Sequence, residues 1–161
     1  MELMITLAIG VVVVSVAVPT YQDYLNKADE LLAEADIRQI EQDITDFFYD
    51  RSSYPETLED MGLQDMRDPW GNPYEYLRIA AGATTASKTS PGKSGKKGGG
   101  SEGPSKGKLR KDKNLVPINT DYDLYSKGQD GRSVSPLTAK HSRDDVIRAG
   151  NGSYIGIAKY F

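Results

Sequence analysis

Cysteine is absent from the 161 residues, and histidine occurs once, as His141. The first absence removes disulfides, thiolate nucleophiles, zinc–thiolate sites and covalent c-type haem attachment, and the second leaves no histidine cluster for metal binding or catalysis. Charge is missing from Leu3 to Gln22, and aromatic residues are missing from Thr84 to Lys113. No serine has a base as companion, and the pair Asp43/Asp46 falls on a helix surface, so the chain does not read as an enzyme.

The net charge of −3 is mild, which argues against a wholly basic nucleic-acid binder, but the charge is segregated. Residues 84–113 hold nine Lys or Arg against Glu102 and Asp112, a net of +7, leaving −10 elsewhere. This stretch is dominated by Gly, Ser, Lys and Pro, with almost nothing apolar to bury, and is expected to be a flexible surface loop. Lys96, Lys97, Lys106, Lys108, Arg110 and Lys111 are its candidates for a polyanion contact. Without an aromatic platform for stacking bases it is a poor single-strand binder, and a solvated, self-repelling loop is the plainer reading.

The first segment, "ELMITLAIGVVVVSVAVPTYQDYL", sets a carboxylate at the edge of an apolar run. A charge at mid-membrane costs roughly 2.5–3.5 kcal/mol on insertion scales. A cleaved signal peptide would need a basic start and a small-x-small exit, and neither is clear. A single-span anchor is a second reading, although sixteen residues before Pro19 are short for a ~30 Å core. A third is a helix that lives in membrane first and in a protein assembly later. Pro19, lacking an N–H, would kink such a helix or open its hydrogen bonding locally, and Gly10 would help loosen it.

From Thr20 to Asp50 the pattern is amphipathic: Ala33, Ile37, Ile40, Ile44 and Phe47 recur at helical spacing on one face. Joined to the first segment, this makes one helix over about residues 2–50, its second half packed on a small domain. Residues 1–23 are read as the membrane or filament-core half and 24–161 as the head. Strands are expected at "YEYLRIA", at Asp121–Ser126 and at Ser153–Tyr160, giving an α+β fold with a three-stranded antiparallel sheet and a C-terminal loop region. Asp68, Pro69, Trp70, Gly71, Asn72 and Pro73 form a structural turn before the first strand. Trp70, Tyr74 and Tyr76 are expected in the core of the head. Tyr21, Tyr24, Phe47, Phe48 and Tyr49 read as packing residues, not as a conducting path. Asn151 begins a weak glycosylation sequon.

These features together resemble the type IV pilin superfamily, and within it the major (G-type) pseudopilins of type II secretion. The glutamate, apolar run, proline and tyrosine pair are similar to the N-terminal pilin helix, "DPWGNPYEY" to the turn leading into the pseudopilin sheet, and "YDLYSKGQDG" with "DDVIRAGNGSYIGIA" to the calcium-binding end of those heads. The likeness covers nearly the whole chain apart from the Lys/Gly loop. It implies a lollipop-shaped structural subunit of a pseudopilus or pilus-like helical filament, with a precursor cleaved by a prepilin peptidase and then methylated. Family members carry four residues before the glutamate, where this sequence has Met1 alone.

By the same resemblance, Glu2 pairs with the N-terminal amine of a neighbouring subunit, and Pro19, Tyr21 and Tyr24 belong to the assembly segment. A structural calcium is implied, held by Asp130, by Asp145 or its neighbour Asp144, and by the backbone carbonyl of Lys127. Calcium suits such a mixture of carboxylates and carbonyls; the same residues also read as an Asp-Gly turn in a capped polar loop. The implied partners are copies of the chain, minor pseudopilins, the assembly machinery and, before assembly, the bacterial inner membrane, with the head in the periplasm. An adhesion or twitching pilin, a surface- or DNA-binding pilin using the basic loop, and a plain anchored periplasmic protein are the alternatives.

Overall fold

A computed structural model describes residues 2–79 and 109–161, with Glu2 and Val16 described by their backbone alone. The chain begins with one α-helix, α1 (Glu2–Arg51), of 50 residues, which at 1.5 Å per residue is about 75 Å long. It ends where Ser52 turns left-handed (φ 53°) and donates its N–H to the Phe48 carbonyl at 2.7 Å. Arg51 places its cation at the negative helix end and over the Phe47 ring, 4.4 Å from the centroid. A 3-10 turn at Leu58–Met61 follows, opened by the Asp60 carboxylate, which accepts from the N–H groups of Glu56 and Thr57.

The sheet has four antiparallel strands in the order β1 (Glu75–Arg78), β2 (Tyr122–Ser126), β3 (Val146–Ala149) and β4 (Tyr154–Ile157). Three of these lie where expected, the last continuing as a 3-10 turn, Ala158–Tyr160, in place of an extended end. The expected count of three strands is corrected to four by β3, whose residues read as part of a loop. All four β3 residues are buried, so the strand lacks the alternation that marks a half-exposed one, and Arg148 breaks its apolar run. The β3–β4 hairpin turns through Gly150, Asn151 and Gly152, all at positive φ.

Period-two alternation divides the sheet between two apolar clusters. One lies under α1, where Ala33, Ile37, Ile40 and Ile44, all fully buried, meet Tyr122, Leu124, Val146 and Ile155. Burying each isoleucine contributes on the order of 2 kcal/mol. Tyr74 joins this core, and Trp70 and Tyr76 pack against it half-buried. The other cluster lies on the opposite face, where Ile147 and Ala149 meet Ile118, Leu137 and Ala158.

Candidate functional site

The residues singled out in the sequence fall into two regions. In the first half of α1 every large apolar side chain described is exposed, from 43% at Leu25 to 86% at Leu3. A shallow groove runs along Leu3, Leu7, Val11 and Val14, and another along Val12, Val13, Ala17, Tyr21 and Tyr24, so apolar surface extends around the helix. The helix is long and apolar enough to cross a membrane, with a mean hydropathy of 2.4. The hydroxyls of Thr6 and Ser15 donate to the carbonyls of Leu3 (3.0 Å) and Val12 (2.7 Å), which satisfies them without water. The helix runs through Pro19 without interruption, although proline offers no N–H to the Ser15 carbonyl. The side chain of Glu2 lies outside the described residues.

The second region is the loop end of the head, organised by the turn 68–73. Asp68 is buried and its Oδ1 accepts from the N–H groups of Trp70 (3.1 Å) and Asn72 (2.7 Å). Gly71, at φ 90°, donates to the Asp68 carbonyl at 2.9 Å and closes the turn. Asp68 Oδ2 then takes the Ser126 hydroxyl at 2.5 Å, and Asn72 Nδ2 donates to the Gly128 carbonyl at 3.0 Å. A turn read as local thus clamps the chain where it leaves β2. Gly128 has no alternative residue: it sits at φ 62°, and a Cβ there would lie 2.2 Å from the Asp144 carbonyl oxygen.

The acidic residues expected to gather here point in different directions. Asp130 is exposed, with Oδ1 accepting from the Arg132 N–H (2.7 Å) and Oδ2 at 2.8 Å from His141 Nδ1. The hydrogen bond to His141 holds its carboxyl below the usual range. Asp144 accepts from the Asp130 N–H at 3.1 Å. Arg132, Lys140, His141 and Arg143 line the same shallow surface. Lys127 pairs its ammonium with Glu75.

Asp145, fully buried, faces away from that surface. Its Oδ2 accepts from the Arg110 guanidinium and from the Ser133 hydroxyl, while Oδ1 finds no protein partner. Burial pushes its carboxyl up to about 6, against the opposing pull of Arg110. Arg110 is itself buried: Nη1 donates to the Val134 carbonyl at 2.8 Å, and the guanidinium lies over the Tyr125 ring, 4.0 Å from its centroid. The Arg110 N–H donates to Asp123 Oδ2 at 2.8 Å, and Asn119 Nδ2 to Asp123 Oδ1 at 2.9 Å. Burial raises the Asp123 carboxyl too, with these hydrogen bonds opposing it.

The expected calcium ligands therefore do not fit one cradle. The Asp145 oxygen that faces a cation faces a guanidinium, and the Asp130–Asp144 surface is lined by basic side chains. The reading of Arg110 as a surface cation also needs correction, whereas Lys111 keeps a half-exposed side chain. Arg110 is held in the interior, and Lys111 is tied by its backbone to Ser135 (3.0 Å) and Leu137 (2.9 Å). Lys96, Lys97, Lys106 and Lys108, with loop residues 84–108, lie outside the described residues.

Sequence reasoning missed Arg110, Ser133, Asn119 and Asp123 as a cluster. One signal was there: Arg110 is the sole arginine among the lysines of 84–113, and arginine rather than lysine suits a buried, stacked ion pair. Compared with known proteins, the chain matches no family model, no curated sequence and no solved structure.

Proposed function

We propose that the chain is the structural subunit of a helical filament of the type IV pilin kind, most similar in design to the major pseudopilin of type II secretion. One observation carries the reading. A single helix is apolar and uncovered over its first half, and buried through Ala33, Ile37, Ile40 and Ile44 over its second. A helix built this way couples a folded head rigidly to an element whose surface only lipid or other helices can cover. In the membrane it holds the subunit in store. On assembly, Leu3–Val18 passes from lipid into a bundle of the same segment from neighbouring copies, so little apolar surface meets water. Glu2, costly alone in hydrocarbon, would set register by pairing with a neighbour's amine. The bacterial inner membrane and an assembly machinery are the partners this scheme requires.

The test is co-expression of the chain with a type II secretion or pilus assembly machinery, followed by shearing and electron microscopy. Wild-type chain should yield filaments containing it, and Glu2→Ala should leave it in the membrane fraction without filaments. Wild-type chain that stays in the membrane and never forms filaments would reduce it to an anchored periplasmic protein.

A further inference from the structure

We propose that the guanidinium of Arg110 is the resident cation of the head's loop end, doing structurally what a bound divalent metal would otherwise do. Asp145 is the last residue before β3, and Arg110 lies on the stretch 109–121 that leads into β2. Between them the arginine touches three separate pieces of chain. Nη2 bonds Asp145, Nη1 bonds the Val134 carbonyl of the long loop, and the planar face covers Tyr125 of β2. A carboxylate, a carbonyl and a stem of chain held around one positive charge is the coordination logic of a loop-organising calcium. Here a covalently attached ion supplies it, with directional donors in place of a spherical charge.

The orphaned atoms point the same way. Asp145 Oδ1 and Arg110 Nε are buried without partners, one an acceptor and the other a donor on the same ion pair. A side-on bidentate contact would satisfy both, so the open oxygen and the open N–H are complementary within the pair. Ser133 fills a further lone pair of Oδ2. The second buried carboxylate nearby, Asp123, is taken up by the Arg110 N–H and by Asn119. A divalent ion entering between these groups would have to displace the guanidinium or sit against it. The inference concerns the head alone and holds whether or not the chain polymerises.

The full chain in detergent tests it by thermal unfolding in millimolar calcium and in chelator. The wild-type midpoint should be the same in both. Arg110→Gln should lower it by about 10 °C in both, since a buried carboxylate is left without its counter-charge. Terbium added to the wild-type chain supplies a measurement that needs no variant to fold, because Tyr125 would sensitise a lanthanide bound at this site. No saturable, tyrosine-sensitised emission is expected. A wild-type midpoint that rises with calcium, saturable terbium emission displaced by calcium, or an Arg110→Gln melt equal to wild type would each overturn the proposal.

Discussion

Glu41 on α1 and Arg148 in the middle of β3 meet at 2.7 Å across 107 residues of sequence, and this contact joins helix to sheet inside the head. Arg148 also donates to both carboxylate oxygens of Asp121 (3.0 and 2.8 Å) and lies over the Tyr122 ring, 4.0 Å from the centroid. Those two carboxylates hold its proton more firmly than usual. Arg148→Ala should cost about 3–5 kcal/mol, as expected when one partner of a buried network is removed. Glu41→Gln, at a partly exposed carboxylate that keeps an acceptor, should cost about 1 kcal/mol. Urea unfolding of the full chain in detergent measures both, and equal costs would show that the network does not centre on the arginine.

Gly128 and Gly71 both adopt positive φ, but their surroundings differ. Gly71→Ala meets open space and should lose about 1 kcal/mol from backbone strain alone. Gly128→Ala adds a collision with the Asp144 carbonyl and should lose at least ~2 kcal/mol more. Unfolding midpoints of the two variants side by side decide it. Matching losses would mean that the loop yields freely at Asp144.

On α1, Ile40 is fully buried and Leu31 is 58% exposed. Ile40→Ala should destabilise the head by about 2–5 kcal/mol, whereas Leu31→Ala should stay within ~0.5 kcal/mol. Chemical denaturation measures the first effect. For Leu31, filament yield is the informative readout: under the proposed filament an exposed leucine on α1 would act in the assembly rather than in the monomer.

Asp145 gives the head a pH dependence of defined sign. Its folded pKa, pushed up to about 6 by burial, lies above the ordinary aspartate value of 3.8, so the folded state binds the proton more tightly than the unfolded chain. The associated stabilisation is therefore full below about pH 4 and is lost as pH rises through 6, on the order of 2 kcal/mol. Denaturation at pH 4, 5 and 6 should show wild type losing stability relative to Asp145→Asn. A constant difference between the two would mean that burial does not control this carboxyl.

Much of the architecture was legible because it follows local periodicity. The spacing of Ala33, Ile37, Ile40, Ile44 and Phe47 marked one face of a helix, and the first four are fully buried while Phe47 is half-exposed beneath Arg51. "YEYLRIA" and "DYDLYS" alternate and pair as β1 and β2, with Tyr76 opposite Leu124. What escaped depends on contacts distant in sequence. "VIRA" looks too polar and too short for a central strand until Glu41 and Asp121 are seen to neutralise Arg148. Asp144 and Asp145 are identical in type, yet successive side chains at a strand entry point to opposite sides, one toward the surface and one toward Arg110. Arg110 was hidden by its neighbours, since a run of lysines reads as solvated until one member proves to be an arginine with a place in the core.

The two stems flanking residues 80–108 are fastened to nearly the same point. The Ile79 N–H binds the Asp121 carbonyl at 2.9 Å, and the Arg110 N–H binds the Asp123 carboxylate at 2.8 Å, just two residues further along. An insertion clasped at its base in this way is insulated from the register of the sheet. Between Ile79 and Leu109 the head therefore offers a natural splice point, where an epitope, an affinity tag or a small folded module can replace native sequence while the four strands keep their pairing. If the subunit polymerises, one graft there would be repeated along the whole fibre.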